Sequence, residues 1–236
     1  MNEPRVKKVA ILCDFDGTVA RDDVGNLLFR TFADPKGCCE AVDEWKQGLI
    51  TSRDCLEREA SLARVSRETL NGFILQRKLD PYFKDFVDFA HRRGMEVVIV
   101  SDGLDYYIEK MLVRTGLAHL DFFANALHMT DHSLHVHFPY FDMLDCRSCG
   151  NCKTYHMEKY KTQGYYVVYI GNGLSDRCPS KYADLVFAKG DLLDYCRENG
   201  VETTEFRNFR DVEREILSRF VLNGELAGDA EDPEIV

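Results

Sequence analysis

Apolar residues along this chain follow two rhythms. Four short unbroken runs stand out: Val9-Ala10-Ile11-Leu12-Cys13, MEVVIVSDG, YYVVYIGNGLSD and DLVFAKG. Each runs into a polar or glycine-rich turn, which reads as a strand buried on both faces. Between them the apolar spacing is helical. FKDFVDFAHRRG sets Phe83, Phe86, Val87 and Ala90 on one face and closes at Gly94. DYYIEKMLVRTG closes at Gly116, while CKTYHMEKYKTQG and RDVEREILSRFV predict two further helices. FFANALHM and SLHVHF alternate and predict a hairpin around Thr130-Asp131. Strands alternating with helices imply right-handed crossovers and a parallel sheet, hence an α/β fold.

Residues 21–84 have a different texture. Val24, Leu27, Leu28 and Phe32, then Leu49, Cys55, Leu56 and Leu62, then Leu70, Phe73, Ile74 and Leu79 recur at helical spacing without strand alternation. They predict three or four short helices, stopped at Asp80-Pro81, inserted after the first strand. The expected division is a core of residues 1–20 and 85–236, a helical insert over 21–84, and a frayed acidic tail over 225–236.

Composition narrows the field. A chain of 236 residues with 45% apolar content suits one large domain, or a domain with an insert. Its net charge of -10, with no Lys/Arg block, argues against a nucleic-acid partner. No 18-residue apolar run exists and MNEPRVKK lacks an apolar segment, so neither a membrane span nor a secretory signal is expected. The expected compartment is the cytoplasm. The nine cysteines, odd in number, are then expected as thiols. Oligomeric state is not legible.

Polar residues gather where the strands end, the edge at which such sheets bind ligands. Asp14 and Asp16 end the first run and Gly17-Thr18 follows; Ser101-Asp102-Gly103 ends the second; Gly171-Asn172-Gly173 with Asp176 ends the third; Lys153 opens a helix. Cleaving a phosphomonoester needs a nucleophile, a proton donor for the leaving oxygen, cations, and fixed donors for the equatorial oxygens. A carboxylate can be the nucleophile. Mg²⁺ takes one or two protein carboxylates and fills its shell with other oxygens. These four stretches contain every part.

Asp14-Phe15-Asp16-Gly17-Thr18, Ser101-Asp102-Gly103, Lys153 and Gly171-Asn172-Gly173-Leu174-Ser175-Asp176 resemble, in order, the four motifs of haloacid dehalogenase-like (HAD) phosphatases. The resemblance implies a Rossmann-like parallel sheet flanked by helices, with the insert as a helical cap, and a Mg²⁺ cofactor. It implies Asp14 as nucleophile and metal ligand, and Asp16 as general acid/base with its carbonyl on the metal. Ser101 and the Gly103 N–H would hold phosphate oxygens and Lys153 would neutralise them. Asn172 and Asp176 would complete the metal site. Many relatives carry Asp where this chain has Asn172, so weaker metal binding is expected. Asp102 reads as a turn residue.

Within the family, Cys146-Arg147-Ser148-Cys149-Gly150-Asn151-Cys152-Lys153 and LVFAKGDLLDYCRENG resemble the methionine-salvage branch that includes 2-hydroxy-3-keto-5-methylthiopentenyl-1-phosphate phosphatase. That branch is similar to phosphoserine phosphatases, which hold their substrate with an acid soon after the first motif and a cap arginine. Asp23 matches the first; Arg53 and Arg58 lie near the second. Phosphoserine, phosphocholine, phosphoethanolamine and vitamin phosphates remain alternative substrates. Cys146, Cys149 and Cys152 either bind a metal, with Cys38, Cys39 or His156 as a fourth ligand, or form a compact loop that positions Lys153. His135 and His137 share a strand face and, with His132, read as a solvated hairpin. Trp45 is either core or pocket wall. A function of another class, a non-catalytic ligand- or metal-binding protein, would rest on Asn172 and the cysteine loop.

Overall fold

The computed structural model describes residues 8–222. The expected acidic tail, 225–236, lies outside the described residues. Among the described residues seven strands form one sheet: β1 (Val9–Cys13), β2 (Glu96–Leu104), β3 (Phe122–Thr130), β4 (Ser133–His137), β5 (Tyr166–Gly171), β6 (Leu185–Ala188) and β7 (Thr204–Glu205). Their order is β4-β3-β2-β1-β5-β6-β7. Every neighbouring pair is parallel except β3 and β4, the expected hairpin, whose turn places Asp131 at φ 53°. All five residues of β1 are buried, as an unbroken apolar run in mid-sheet requires. From β1 the chain winds outward through β2, then returns to lay β5 on its other side. The carboxyl ends of β1, β2 and β5 therefore border the switch point of the sheet, where such folds place ligands.

Four helices follow β1: α1 (Val24–Phe32), α2 (Pro35–Lys46), α3 (Ser52–Leu62) and α4 (Arg67–Leu75). The strongest start signal is at α3, where Thr51 and Asp54 satisfy each other's backbone N–H groups in a capping box. The insert leaves and returns through a narrow neck. Ala20 and Leu79 pair antiparallel, and the Asp80 N–H donates to the Val19 carbonyl at 2.8 Å. Two residues expected on buried helical faces lie outside. Leu49, 70% exposed, falls in the turn before α3, and Leu62, 38% exposed, ends that helix.

The remaining α-helices among the described residues are α5 (Phe83–Arg92), α6 (Asp105–Arg114), α7 (Lys153–Thr162), α8 (Arg177–Ser180), α9 (Gly190–Asn199) and α10 (Phe209–Ile216). Phe83 and Phe86 of α5 pack on Phe209 of α10 with ring centroids 4.7 and 5.1 Å apart. Burying such side chains stabilises the fold by about 1.5–3 kcal/mol each. The two-residue β7 was not legible in the chain's pattern. Asp102, expected in a turn, belongs to β2. Among the described residues no helix is long and apolar enough to cross a membrane.

Candidate active site

β1 ends at Cys13, and the chain then turns sharply. Gly17 has φ 72°, a left-handed conformation that glycine adopts without strain, and Asn172 leaves no room there for a Cβ. This turn aims Asp14 and Asp16 at the ends of β2 and β5. The Lys153 Nζ, fully buried, donates to Asp14 Oδ1 and to Asp176 Oδ1, both at 2.6 Å. Burial works against its charge, but Asp14 and Asp176 outweigh that and push its pKa up, so Lys153 stays protonated. Burial and Asp176 push the Asp14 carboxyl up to about 7, with Lys153 pulling the other way.

Asp16 is held differently. Its Oδ1 accepts from the N–H groups of Val24 at 2.8 Å and Gly25 at 3.3 Å, at the start of α1. Its Oδ2 accepts from the Tyr107 hydroxyl. Burial and Asp23 push its carboxyl well above the usual carboxylate range, while the bonds from Tyr107 and Val24 pull the other way. Gly103 is required beside it: a Cβ there would collide with the Tyr107 hydroxyl and the Asp16 carboxylate. The Gly103 N–H donates to Ser101 Oγ at 3.0 Å, and both residues line the cavity.

One side-chain atom of Asn172 faces three oxygens: Thr18 Oγ1 at 2.8 Å, Asp16 O at 2.9 Å and Asp14 Oδ2 at 2.9 Å. With nitrogen inward the amide donates to them. With oxygen inward the Thr18 hydroxyl donates to it, and the remaining oxygens need a cation between them. Adjacent ligands of an octahedral Mg²⁺ lie about 3 Å apart, since each Mg–O bond is about 2.1 Å. The observed spacing therefore fits a hard cation held by Asp14 Oδ2, the Asp16 carbonyl and Asn172 Oδ1. Asp176, expected as a ligand, is arranged otherwise. Its Oδ1 accepts from Lys153 and from Tyr169 at 2.6 Å, and its Oδ2 accepts from the N–H groups of Asn172 and Gly173, both at 2.9 Å. In this geometry Asp176 anchors Lys153 and the turn that carries Asn172.

The loop before α7 has a structural task. Asn151, fully buried, donates from Nδ2 to the carbonyls of Ser101 and Phe123 at 2.7 and 2.8 Å, and its Oδ1 meets His156 Nε2 at 2.8 Å. Its N–H donates to Asp102 Oδ1 at 2.7 Å. These bonds staple the loop to β2 and β3 and set the place of Lys153. The expected alternative, a metal at Cys146, Cys149 and Cys152, is not assembled: among the described residues no three His, Cys, Asp or Glu side chains are grouped to hold an ion. Cys146 is exposed, Cys152 is buried, and His156 is engaged by Asn151 and stacked on Phe123. His135 and His137 lie exposed on β4.

Beside these residues opens a cavity of about 350 Å³, within the range of small-ligand sites. Asp14, Asp16, Ser101 and Asn172 form one end, and α1, α2 and α3 supply the other through Phe29, Trp45 and Glu59. Asp23 lines it and caps α1 by accepting from the Asn26 N–H at 2.9 Å. Trp45 is thus pocket wall. The two expected arginines are elsewhere. Arg58 pairs with Glu44 at 2.6 Å, and Arg53 pairs with Glu57 and stacks over Phe138 and Phe141. Both are drawn off by partners on the surface of the insert. Ser52, Glu59, Tyr107, Asn151 and Tyr169 escaped the sequence reading. Four of them sit in ordinary helical or strand patterns and Asn151 in the loop before α7, and only the opposite walls of the site give them meaning.

Known proteins resemble this chain over most of its length. The model for "HAD: haloacid dehalogenase-like hydrolase" matches residues 11–178. The 2-hydroxy-3-keto-5-methylthiopentenyl-1-phosphate phosphatase of Bacillus velezensis is 30% identical over 210 residues, covering 86% of this chain and 87% of that protein. The protein of the same name from Exiguobacterium sibiricum is 29% identical over 211 residues, covering 86% and 94%. Among solved structures, a phospho-aspartyl intermediate analogue of phosphoserine phosphatase superposes with a TM-score of 0.70 at 24% identity, covering 90% of this chain and 98% of that one, a likeness of fold. With the family model spanning most of the chain and a relative matched nearly end to end, the chain belongs to the haloacid dehalogenase-like hydrolase family, as one of its phosphatases.

Proposed function

We propose that this protein is a Mg²⁺-dependent phosphomonoesterase that works through an aspartyl-phosphate, with 2-hydroxy-3-keto-5-methylthiopentenyl-1-phosphate as the leading substrate. One observation carries the reaction: Asp14 Oδ1 accepts from Lys153, and Asp14 Oδ2 lies 2.9 Å from the Asn172 side-chain amide, which also faces the Asp16 carbonyl at 2.9 Å. Asp14 attacks phosphorus in line with the leaving oxygen, and Asp16 gives that oxygen its proton. Asp16 then takes a proton from the water that cleaves the aspartyl-phosphate and releases orthophosphate. Ser101 and the Gly103 N–H hold equatorial oxygens, and Lys153 balances their charge. When bound, Mg²⁺ would add positive charge at the phosphoryl group. Asp14, the Asp16 carbonyl and Asn172 would hold it, with Asp176 fixing the turn behind them.

The names of the relatives support this substrate. So does the apolar wall of Phe29 and Trp45, which suits a methylthio tail. Residues 21–84 would act as the cap that excludes water from the reaction. Phosphoserine, phosphocholine, phosphoethanolamine and vitamin phosphates are the competing substrates. The test is phosphate release from a panel of these compounds, with and without Mg²⁺, by the wild type and Asp14→Asn. We expect Mg²⁺-dependent release, lost by at least about a thousandfold in the folded variant, the size of effect expected when a covalent nucleophile is removed. Retained turnover in Asp14→Asn would exclude the aspartyl-phosphate. No release from any compound would favour the non-catalytic reading.

A further inference from the structure

The roof of the cavity contains a carboxylate that the reaction does not use. Glu59 of α3 is 6% exposed and lines the cavity. The hydrogen bond it accepts comes from Cys55 Sγ at 3.8 Å, a weak donor at long range. Among the lining residues the one cation is Lys46, whose charge acts on Asp23. Burial and Asp23 push the Glu59 carboxyl up to about 7, the mark of a buried acid without a cation beside it. A buried carboxylate left in this state costs free energy, which a ligand that completes it restores. Arg53 and Arg58, the side chains that could have received an acidic substrate tail, face Glu57 and Glu44 instead.

We infer that Glu59 determines specificity: it accepts a hydrogen bond from an ammonium or hydroxyl group on the substrate's tail and turns away tails that end in a carboxylate. The inference rests on the phosphomonoesterase reading and assigns the chemistry of the cavity's far end. Asp23 adds a second negative charge at that end. Trp45 and Phe29 offer aromatic faces that suit either a cation or an apolar segment. A carboxylate there would meet two like charges in a partly dry cavity, and phosphoserine is disfavoured on that ground.

The test compares kcat/KM for four phosphomonoesters with Mg²⁺ present: p-nitrophenyl phosphate, glycerol 1-phosphate, ethanolamine phosphate and phosphoglycolate. The wild type should favour the hydroxyl or ammonium compound over phosphoglycolate by at least about tenfold, the worth of one charge-assisted hydrogen bond. In Glu59→Gln the ratio of that compound to p-nitrophenyl phosphate should fall about 10- to 100-fold, with KM moving more than kcat. A loss confined to ethanolamine phosphate identifies an ammonium, and a loss shared with glycerol 1-phosphate identifies a hydroxyl. Glu59→Lys should shift preference toward phosphoglycolate. Circular dichroism checks that both variants fold, and the near-isosteric Gln variant decides the matter if Lys does not. Unchanged ratios in Glu59→Gln, or a wild type that prefers phosphoglycolate, would overturn the inference while leaving the phosphomonoesterase reading in place. A wild type unable to hydrolyse even p-nitrophenyl phosphate would overturn both.

Discussion

At the scale of single residues, the site is governed by how many partners each carboxylate has. Asp176 accepts four hydrogen bonds, Asp16 three, and Glu59 one weak one. The consequence for Glu59 is a stability that depends on pH. Its folded pKa of about 7 lies above the ordinary 4.5, so the native state binds the proton more tightly than the unfolded chain does. Native stability is then full below pH 4.5 and declines as pH rises through 7. The cost levels off on the order of 3 kcal/mol above that. The groups facing Glu59 do not reverse the sign: burial keeps Cys55 and Cys38 as neutral thiols, and Asp23 repels. We therefore expect Glu59→Gln to melt higher than the wild type at pH 8, with the gap closing toward pH 4.5. Calorimetric scans across that range, without substrate, check it. A gap independent of pH would show that folding does not shift the Glu59 pKa.

At the scale of elements, one of the contacts between the insert and the core is a serine latch at the start of α3. Ser52 opens α3, and its hydroxyl donates to Asp102 Oδ2 at 2.5 Å while accepting from the Gly150 N–H at 2.8 Å. The Ser52 N–H reaches the Ser148 carbonyl at 3.0 Å. One serine thus ties the insert to the end of β2 and to the loop that carries Lys153. Ser52→Ala leaves a buried N–H without its partner and deprives Asp102 of a donor, which costs about 1–3 kcal/mol. We expect a fall in melting temperature of roughly 2–10 °C. A larger loss of phosphate release than of stability would show that the latch also holds the loop in register. The periodicity of residues 21–84 showed that helices stand here. It could not show the latch, because Ser52 and Asp102 are 50 residues apart and each suits a turn or cap by itself.

At the scale of the whole molecule, the proposed cation site would be drawn from both sides of the switch point: Asp14 and Asp16 follow β1, and Asn172 follows β5. Of the three ligands proposed for it only Asp14 brings a carboxylate, and Asn172→Asp would bring a second. Asn172→Asp should lower the Mg²⁺ concentration for half-maximal activity by about tenfold, equivalent to roughly 1.4 kcal/mol. A Mg²⁺ titration checks it, and equal half-saturation in the two proteins would mean that the amide oxygen binds as well as a carboxylate.

Much of this molecule was written in local pattern. Unbroken apolar runs ending in Asp14, Ser101 and Gly171 can bury themselves only in mid-sheet, and strand ends at a switch point must face one crevice. The parallel sheet and the placing of Asp14, Asp16, Ser101 and Asn172 at one edge follow from that, the helical insert follows from the spacing over 21–84, and Lys153, which opens a helix, was singled out by its order among the family motifs. What periodicity cannot carry is the orientation of one wall toward another. α3 bears Arg53, Arg58 and Glu59 within seven residues, and any of them could have faced the cavity. Packing turned Glu59 inward and gave the arginines to Glu57 and Glu44. Asp176 was legible as a site residue, yet its place behind Lys153 depended on Tyr169 and the β5 turn. Those choices rest on contacts between residues far apart in sequence, and they determine which substrate tail the cavity accepts.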